Sequence, residues 1–219
     1  MTAAPRVLVI GASGLLGKAL MGRLAGRVAT TLAQYHLHPG IPIPEVLWLP
    51  ADFTTIEGVR HFLLRHRDEL RPVTHLAFLY GPLVPRPTRD LTAEDFATAI
   101  HHNLLTAIEI TRFLLATGNL RGAAYCGTTH SGTLPPLQRV LPYAMAKNAL
   151  LQTVRSWQRV YPEVRWSFFP LPGLRGGAFP EPGQAEVTPA EAAERIVHRL
   201  LKGGRGVVCR VAPAGRPPR

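Results

Sequence analysis

A short apolar run near the start of the chain ends at a glycine-rich segment, and this junction constrains the fold strongly. Residues 6–10 are Arg-Val-Leu-Val-Ile, a β-branched run of strand length. From Leu15 to Gly26 apolar residues recur at spacings of three and four, which is typical of a helix with one buried face. Glycines 11, 14 and 17 connect the two patterns. The chain therefore begins with a strand, a glycine turn and a helix.

The alternation of strand and helix patterns continues along the chain. Strands are predicted at 6–10, 28–34, 45–49, 73–79, 123–129, 164–169 and 206–211, and helices at 15–26, 54–70, 92–117, 142–160 and from Thr188 onward. Such alternation favours a parallel sheet with helices on both faces. A chain of 219 residues suits one such domain. We predict a single doubly wound, Rossmann-like α/β domain of about seven strands over residues 1–212, followed by a loose basic tail at 213–219.

The spacing of the three glycines indicates a phosphate-binding turn. In the dinucleotide-binding pattern one glycine makes the tight turn, one lets the backbone approach a pyrophosphate, and one allows close helix–strand packing. The following helix N-terminus offers N–H groups and a positive dipole end to the phosphates. The position between strand and helix favours a nucleotide site, and the alternative is a turn without a ligand.

The end of the second predicted strand lacks the usual acidic residue. A carboxylate there normally binds the adenosine ribose, but the first acidic residue of this chain is Glu45. Gln34, Tyr35, His36 and His38 occupy the expected position. Without a carboxylate, a 2′-phosphate meets no repulsion, so the sequence favours NADP over NAD. The alternative for the two histidines is that they are surface residues.

Tyr143 and Lys147 lie four residues apart at the start of a predicted helix and therefore share a face. The chain has 22 arginines but only three lysines, so a lysine at this spacing from a tyrosine is a specific signal. A neighbouring ammonium favours the phenolate and is expected to lower the pKa of Tyr143. Tyr143 could then exchange a proton with a substrate hydroxyl or carbonyl while hydride moves on a nicotinamide.

Taken together, these motifs resemble the short-chain dehydrogenase/reductase family. The resemblance covers nearly the whole chain and rests on the glycine loop, His75-Leu76-Ala77, Asn103, the Tyr143–Lys147 pair and Pro172-Gly173. It implies that Tyr143 is the acid–base and that Lys147 also binds the nicotinamide ribose. It further implies that Asn103 holds a proton-relay water through a local break in its helix. The alternative for Asn103 is a solvent-facing polar residue.

The resemblance also implies the cofactor contacts. Asp52 matches the family aspartate that contacts the adenine ring, and its alternative role is that of an acid at a helix N-terminus. The full set of expected cofactor-binding residues is Gly11, Ser13, Gly14, Leu15, Leu16, Gly17, His36, Asp52, Phe53, Ala77, Phe78, Lys147, Pro172 and Gly173.

Two positions depart from the family pattern. The serine that orients the substrate oxygen is matched by Thr129 when strands are aligned, or by Ser131 when residues are counted back from Tyr143. Either hydroxyl could donate the required hydrogen bond. The family's Asn-Asn-Ala-Gly after the fourth strand is replaced by the sequence of residues 78–81, Phe-Leu-Tyr-Gly. Tyr80, Leu83 and Phe179 are expected as walls of the substrate pocket, and the loop 174–187 as its cover.

Composition limits the other classes of function. The net charge of +11 favours anionic partners, but the arginines are spread along the chain and no nucleic-acid-binding motif is present. Two cysteines do not support a disulfide framework, and the nine histidines lack metal-ligand spacing, so no metal is expected. No apolar run is long enough to span a membrane, and no signal peptide is recognisable, so we expect a cytoplasmic protein.

The sequence therefore predicts an NADP(H)-dependent oxidoreductase that interconverts a carbonyl and an alcohol on a small molecule, with NAD as a possible cofactor. The alternative is a catalytically weak dinucleotide-binding sensor or scaffold of the same fold, favoured by the two departures. The long helix and the tyrosine helix resemble the faces through which the family forms homodimers or homotetramers.

Overall fold

Six parallel strands form one sheet in the computed structural model, which describes residues 4–40, 42–128, 140–177, 186–204 and 206–211. The strands are β1 (Arg6–Ile10), β2 (Thr30–Tyr35), β3 (Val46–Pro50), β4 (His75–Phe78), β5 (Gly122–Thr128) and β6 (Arg165–Leu171). The helices are α1 (Leu15–Leu24), α2 (Ile56–Arg65), α3 (Arg67–Leu70), α4 (Ala93–Ile100), α5 (Thr106–Ala116), α6 (Leu141–Val160) and α7 (Pro189–Lys202).

The strand order in the sheet is β3-β2-β1-β4-β5-β6, so β2 and β3 extend to one side of β1 and the last three strands lie on its other side. This change of side opens a crevice at the carboxyl ends of β1 and β4, where doubly wound folds bind their ligands. Helices α1 and α7 pack on one face of the sheet, and α2, α5 and α6 pack on the other. The predicted doubly wound α/β fold is therefore confirmed.

The predicted seventh strand is reduced to a single bridge between Phe168 and Val208. Gly203, Gly204 and Gly206 precede it with positive φ angles, a conformation that directs the backbone away from a regular extended path. The backbone N–H of Cys209 still donates to the carbonyl of Phe168 at 2.8 Å, so the segment runs beside β6 for only one residue pair.

The long helix predicted at 92–117 contains a π-helical turn at His101–Leu105 between α4 and α5. Asn103 lies in the middle of this π-turn, so the local backbone irregularity expected there is present. The helix begins with a reciprocal capping box between Thr92 and Asp95, and α7 begins in the same way with Thr188 and Glu191. No helix within the described ranges is long and apolar enough to cross a membrane.

His75 is a buried histidine with 5% of its surface exposed. It is the first residue of the central strand β4 and so lies at the end of the strands opposite the crevice. Its Nε2 lies 3.0 Å from an Nη2 of Arg165, and its Nδ1 lies 2.8 Å from the hydroxyl of Thr74. Because a guanidinium can only donate, Nε2 must be the unprotonated acceptor. Burial and the charge of Arg165 lower the pKa of His75 to about 4.

We expect this histidine to make the folded state less stable as the pH falls. An unfolded histidine has a pKa of 6.5 against about 4 in the fold, so between these values the unfolded state binds more protons. The free energy of unfolding should fall by up to about 3 kcal/mol over that range from this group. Urea unfolding at several pH values should show that the free energy of unfolding decreases less with falling pH for His75→Gln than for the natural chain. The exposed His61→Gln is the control, and parallel curves for all three proteins would contradict the assignment.

Candidate active site

The glycine loop joins β1 to α1 at the crevice. Gly14 is the N-cap of α1 and has no side chain to satisfy the N–H groups of the first turn, which leaves them available to a ligand. A Cβ at Gly17 would lie 2.2 Å from the carbonyl oxygen of Gly11 and 2.6 Å from that of Ala12, so only glycine fits there. A Cβ at Gly14 would meet only the Gly11 carbonyl, at 3.3 Å, and otherwise open space.

Gln34 ties this loop to the neighbouring strands. Its Oε1 accepts a hydrogen bond from the N–H of Gly11 at 3.0 Å, and its Nε2 donates to the carbonyl of Ala51 at 3.2 Å. The side chain is 3% exposed, so it serves the fold and not the ligand. A lone glutamine in the otherwise apolar end of β2 was the sequence signal for such a role.

A cavity of about 410 Å³ occupies the crevice. It is lined by residues from the glycine loop, α6 and the segment after β6, which are far apart in sequence. Nine of the residues predicted as cofactor-binding or catalytic line it: Gly11, Gly14, Leu15, Leu16, Gly17, Tyr143, Lys147, Pro172 and Gly173.

Three predicted contacts lie in the core instead. Ala77 and Phe78 are fully buried on the two faces of the sheet, and the ring of Phe53 packs against Phe62. Because β4 ends at Phe78, its continuation reaches the crevice only afterwards. The sequence reasoning missed seven lining residues, which follow β4, end β5 or β6, or precede α6: Leu79, Gly81, Cys126, Gly127, Thr128, Val140 and Leu171. Leu174 and Gly177, which also line the cavity, belong to the loop predicted as its cover. Leu83 lines the cavity as predicted.

Of the other predicted residues, Ser13 is half-buried in the glycine loop and is not among the lining residues. Thr129, Ser131 and Phe179 lie outside the residues that the structure describes. The choice between the two hydroxyls therefore stays a prediction.

Lys147 is almost completely buried on α6, with 2% of its surface exposed. Its Nζ donates to the carbonyl of Tyr80 at 3.3 Å and lies 5.5 Å from the centroid of the Tyr143 ring. Burial lowers the pKa of Lys147 to about 8. Burial also raises the pKa of Tyr143 above its ordinary value. The expectation of a lowered pKa is therefore wrong, because loss of hydration disfavours the charged phenolate and the nearby Cys126 thiol acts in the same direction.

Asn103 meets Lys147 beside Gly81. The amide of Asn103 is fully buried, its Nδ2 donates to the carbonyl of Pro82 at 3.4 Å, and its Oδ1 has no hydrogen-bond partner among the described residues. A Cβ at Gly81 would stand 2.1 Å from this Oδ1 and 2.6 Å from the Nζ of Lys147. The orphaned oxygen and the ammonium thus converge on one point, as expected for a proton-handling centre. The solvent-facing alternative for Asn103 is excluded.

His36 and Asp52, which were predicted to contact the adenosine, follow β2 and β3. Their side chains, both half-exposed, approach to 3.7 Å. The N–H of Thr54 donates to Asp52 Oδ1 at 2.8 Å and holds the pKa of that carboxyl below its usual range. A second cavity of about 550 Å³ at this edge is also lined by His61 and Arg65 of α2, which sequence reasoning missed. Their spacing of four residues on one helix was the available signal.

Metal binding finds no support in the described part of the chain, where no group of three or more histidine, cysteine, aspartate or glutamate side chains could hold an ion. The candidate site is therefore built from the glycine loop, the Tyr143–Lys147 pair and Asn103. It suits a phosphate-containing ligand at one end and proton exchange at the other.

No protein-family model matches the sequence, and no curated protein does. Solved structures do match. A short-chain dehydrogenase family protein from Francisella tularensis has a TM-score of 0.79 at 16% identity, covering 96% of this chain and 97% of that chain. One from Leptospira borgpetersenii, with bound NAD+, has a TM-score of 0.81 at 17% identity, covering 95% and 91%. One from Burkholderia cenocepacia, in complex with NADP, has a TM-score of 0.82 at 16% identity, covering 96% and 89%. The chain therefore has the Rossmann fold of the short-chain dehydrogenases/reductases.

Proposed function

We propose that this protein is a nicotinamide-dinucleotide-dependent oxidoreductase that interconverts a carbonyl and an alcohol on a small molecule. The observation that carries the proposal is the convergence of Tyr143, Lys147 and Asn103 at one cavity with the glycine loop. The loop fits a dinucleotide because Gly14 is open toward the crevice and the first turn of α1 is uncapped. The solved relatives that bind NAD+ or NADP support the same class of cofactor.

The chemistry divides between the cofactor and the chain. A reduced nicotinamide, when bound, would supply hydride to the carbonyl carbon, and the hydroxyl of Tyr143 would donate a proton to the carbonyl oxygen. The raised pKa of Tyr143 keeps its phenol protonated at neutral pH, which is the form that carbonyl reduction requires. Lys147 places a positive charge beneath this proton donor, and Asn103 presents an oxygen next to that charge.

The cofactor preference that we propose is NADP. Around the adenosine side, His36, His61 and Arg65 line one cavity and could face a 2′-phosphate. Two carboxylates line the same cavity: Asp52, which is already engaged by Thr54, and Glu57 in the first turn of α2. We expect His36→Asp to weaken NADPH binding about tenfold or more and to leave NADH binding within about threefold, because a carboxylate repels the additional phosphate. Fluorescence titration measures both affinities. His38→Asp is the matched control, and an equal loss for both cofactors would contradict the assignment.

The decisive experiment is a titration with NADPH and NADH, followed by a screen of uncharged carbonyl compounds for NADPH oxidation. We expect binding of both dinucleotides, tighter for NADPH, and turnover of at least one carbonyl compound. Tight binding without turnover across a broad panel would favour the sensor alternative. The absence of binding of either dinucleotide would show that the proposed function is wrong.

A further inference from the structure

Tyr80 and His102 form a hydrogen-bonded pair just behind the candidate active site. The hydroxyl of Tyr80 lies 2.8 Å from Nδ1 of His102, and the two residues are 22 positions apart in sequence. The ring of Tyr80 packs edge-on against Phe53 and Phe78, at centroid distances of 5.7 and 6.3 Å. Although Tyr80 was predicted as a pocket wall, neither member of the pair is among the residues that line the crevice cavity.

The surroundings determine the direction of this hydrogen bond. Burial and the nearby Asp52 carboxylate raise the pKa of Tyr80 to about 12, so its phenol stays protonated. Burial and the neighbouring His101 lower the pKa of His102, so its imidazole is neutral at neutral pH. The hydroxyl therefore donates to Nδ1, and the ring proton of His102 is on Nε2. The carbonyl of Phe53 lies 2.9 Å from Nε2 of His101, and the same carbonyl partly offsets the lowering of the pKa of His102.

The pair connects both halves of the proton-handling centre. On one side, the carbonyl of Tyr80 accepts the hydrogen bond from Nζ of Lys147. On the other side, His102 directly precedes Asn103 in the π-turn, and Asn103 donates to the carbonyl of Pro82. Lys147 of α6 therefore holds the segment 80–82 through the backbone carbonyl of Tyr80. The π-turn holds it through the side chain of Tyr80 and the backbone carbonyl of Pro82.

We propose that Tyr80 and His102 are positioning residues that hold Asn103 and Lys147 together at Gly81, and that protonation of His102 releases this arrangement. The inference rests on the proposed function for its catalytic consequence. Its geometric part, the dependence of Asn103 on the Tyr80 hydroxyl, is independent of any activity.

Removing the hydroxyl should lower turnover more than binding. Tyr80→Phe keeps the aromatic packing but breaks the pair, and we expect kcat for carbonyl reduction to fall about tenfold, the upper end of the effect of one hydrogen bond. The Kd for NADPH should stay within about threefold, since neither side chain lines the cavity. His102→Leu should lower kcat similarly, and the double variant should be no worse than either single one. Tyr161→Phe removes a phenol elsewhere and is the control.

The pH profile separates positioning from a purely structural role. The groups that face His102 are His101 on its own turn, Asp52 and the Phe53 carbonyl after β3, and Tyr80 after β4, with Lys147 of α6 behind the Tyr80 carbonyl. A protonated His102 offers no acceptor at Nδ1, so kcat of the natural chain should fall as the pH drops below 6.5. His102→Asn keeps an acceptor oxygen near Tyr80 without titrating there. The kcat of this variant at pH 8 should stay within about threefold of that of the natural chain, and it should no longer fall as the pH drops below 6.5.

A spectroscopic measurement tests the geometry without activity. In ¹⁵N NMR spectra, Tyr80→Phe should shift Nδ1 of His102 and the side-chain amide of Asn103, while Tyr161→Phe should shift neither. The inference would be overturned if Tyr80→Phe left these signals and kcat unchanged, or if it lowered only thermal stability. Additive effects in the double variant would also overturn it. If no dinucleotide binds at all, the proposed function fails, and the NMR result still decides whether the pair positions Asn103.

Discussion

Replacing Tyr143 by phenylalanine should lower carbonyl reduction at least about 100-fold, the ordinary contribution of a positioned proton donor. The substitution removes only the hydroxyl, whereas the ring that lies 5.5 Å from Nζ of Lys147 is retained. We therefore expect the Kd for NADPH to change less than about threefold. Steady-state NADPH oxidation and fluorescence titration measure the two quantities.

Tyr161→Phe is again the matched control, because it removes a phenol at the end of α6 without touching the cavity. Full turnover of Tyr143→Phe on a substrate of the natural chain would show that another group donates the proton. A loss of NADPH affinity equal to the loss of turnover would mean that Tyr143 acts in binding and not in proton transfer.

Gly17→Ala should destabilise the fold by about 3 kcal/mol and abolish dinucleotide binding. The new methyl group would lie 2.2 and 2.6 Å from two backbone carbonyl oxygens of the glycine loop. Backbone atoms cannot move aside as a flexible side chain can, so β1 and α1 would have to separate. Urea unfolding measures the stability, and fluorescence titration measures the binding.

Two other glycines in the same region give graded controls. Gly14→Ala should leave stability nearly unchanged but weaken NADPH binding about tenfold, because Gly14 lines the crevice cavity and a methyl group there would hinder close approach of a phosphate to the backbone. Gly22→Ala should leave binding unchanged and add up to about 1 kcal/mol of stability, since nothing lies within 4 Å and the site is inside α1. Equal stability of the variants at 17 and 22 would contradict the close-packing interpretation.

Local patterns predicted most of the fold and part of the site. The strand–glycine–helix junction, the helix that carries Tyr143 and Lys147, and the capping box at Thr188 and Glu191 depend on residues within a few positions of one another. Interactions of this kind leave a spacing in the sequence, so the corresponding elements could be identified. The irregular helical turn around Asn103 was predicted from the family resemblance and not from such a spacing.

Contacts between distant segments left no comparable signal. The Tyr80–His102 hydrogen bond, the Arg165–His75 contact and the cavity lined jointly by His36 and α2 exist only because the sheet brings their elements together. The single bridge at Val208 likewise depends on how the last segment meets β6, which a strand-like composition could not specify.

The sequence by itself determined that Tyr143 and Lys147 share a helix face, that glycines follow β1, and that no carboxylate stands at the end of β2. These properties depend on residue type and spacing alone. Only the tertiary structure decided how the pair titrates. Its packing buries Lys147 almost completely and Tyr143 partly, and the cost of removing a charge from water then raises the pKa of Tyr143 and lowers that of Lys147 to about 8. A helical spacing specifies which side chains are neighbours, whereas the surrounding fold determines how far each side chain is removed from water.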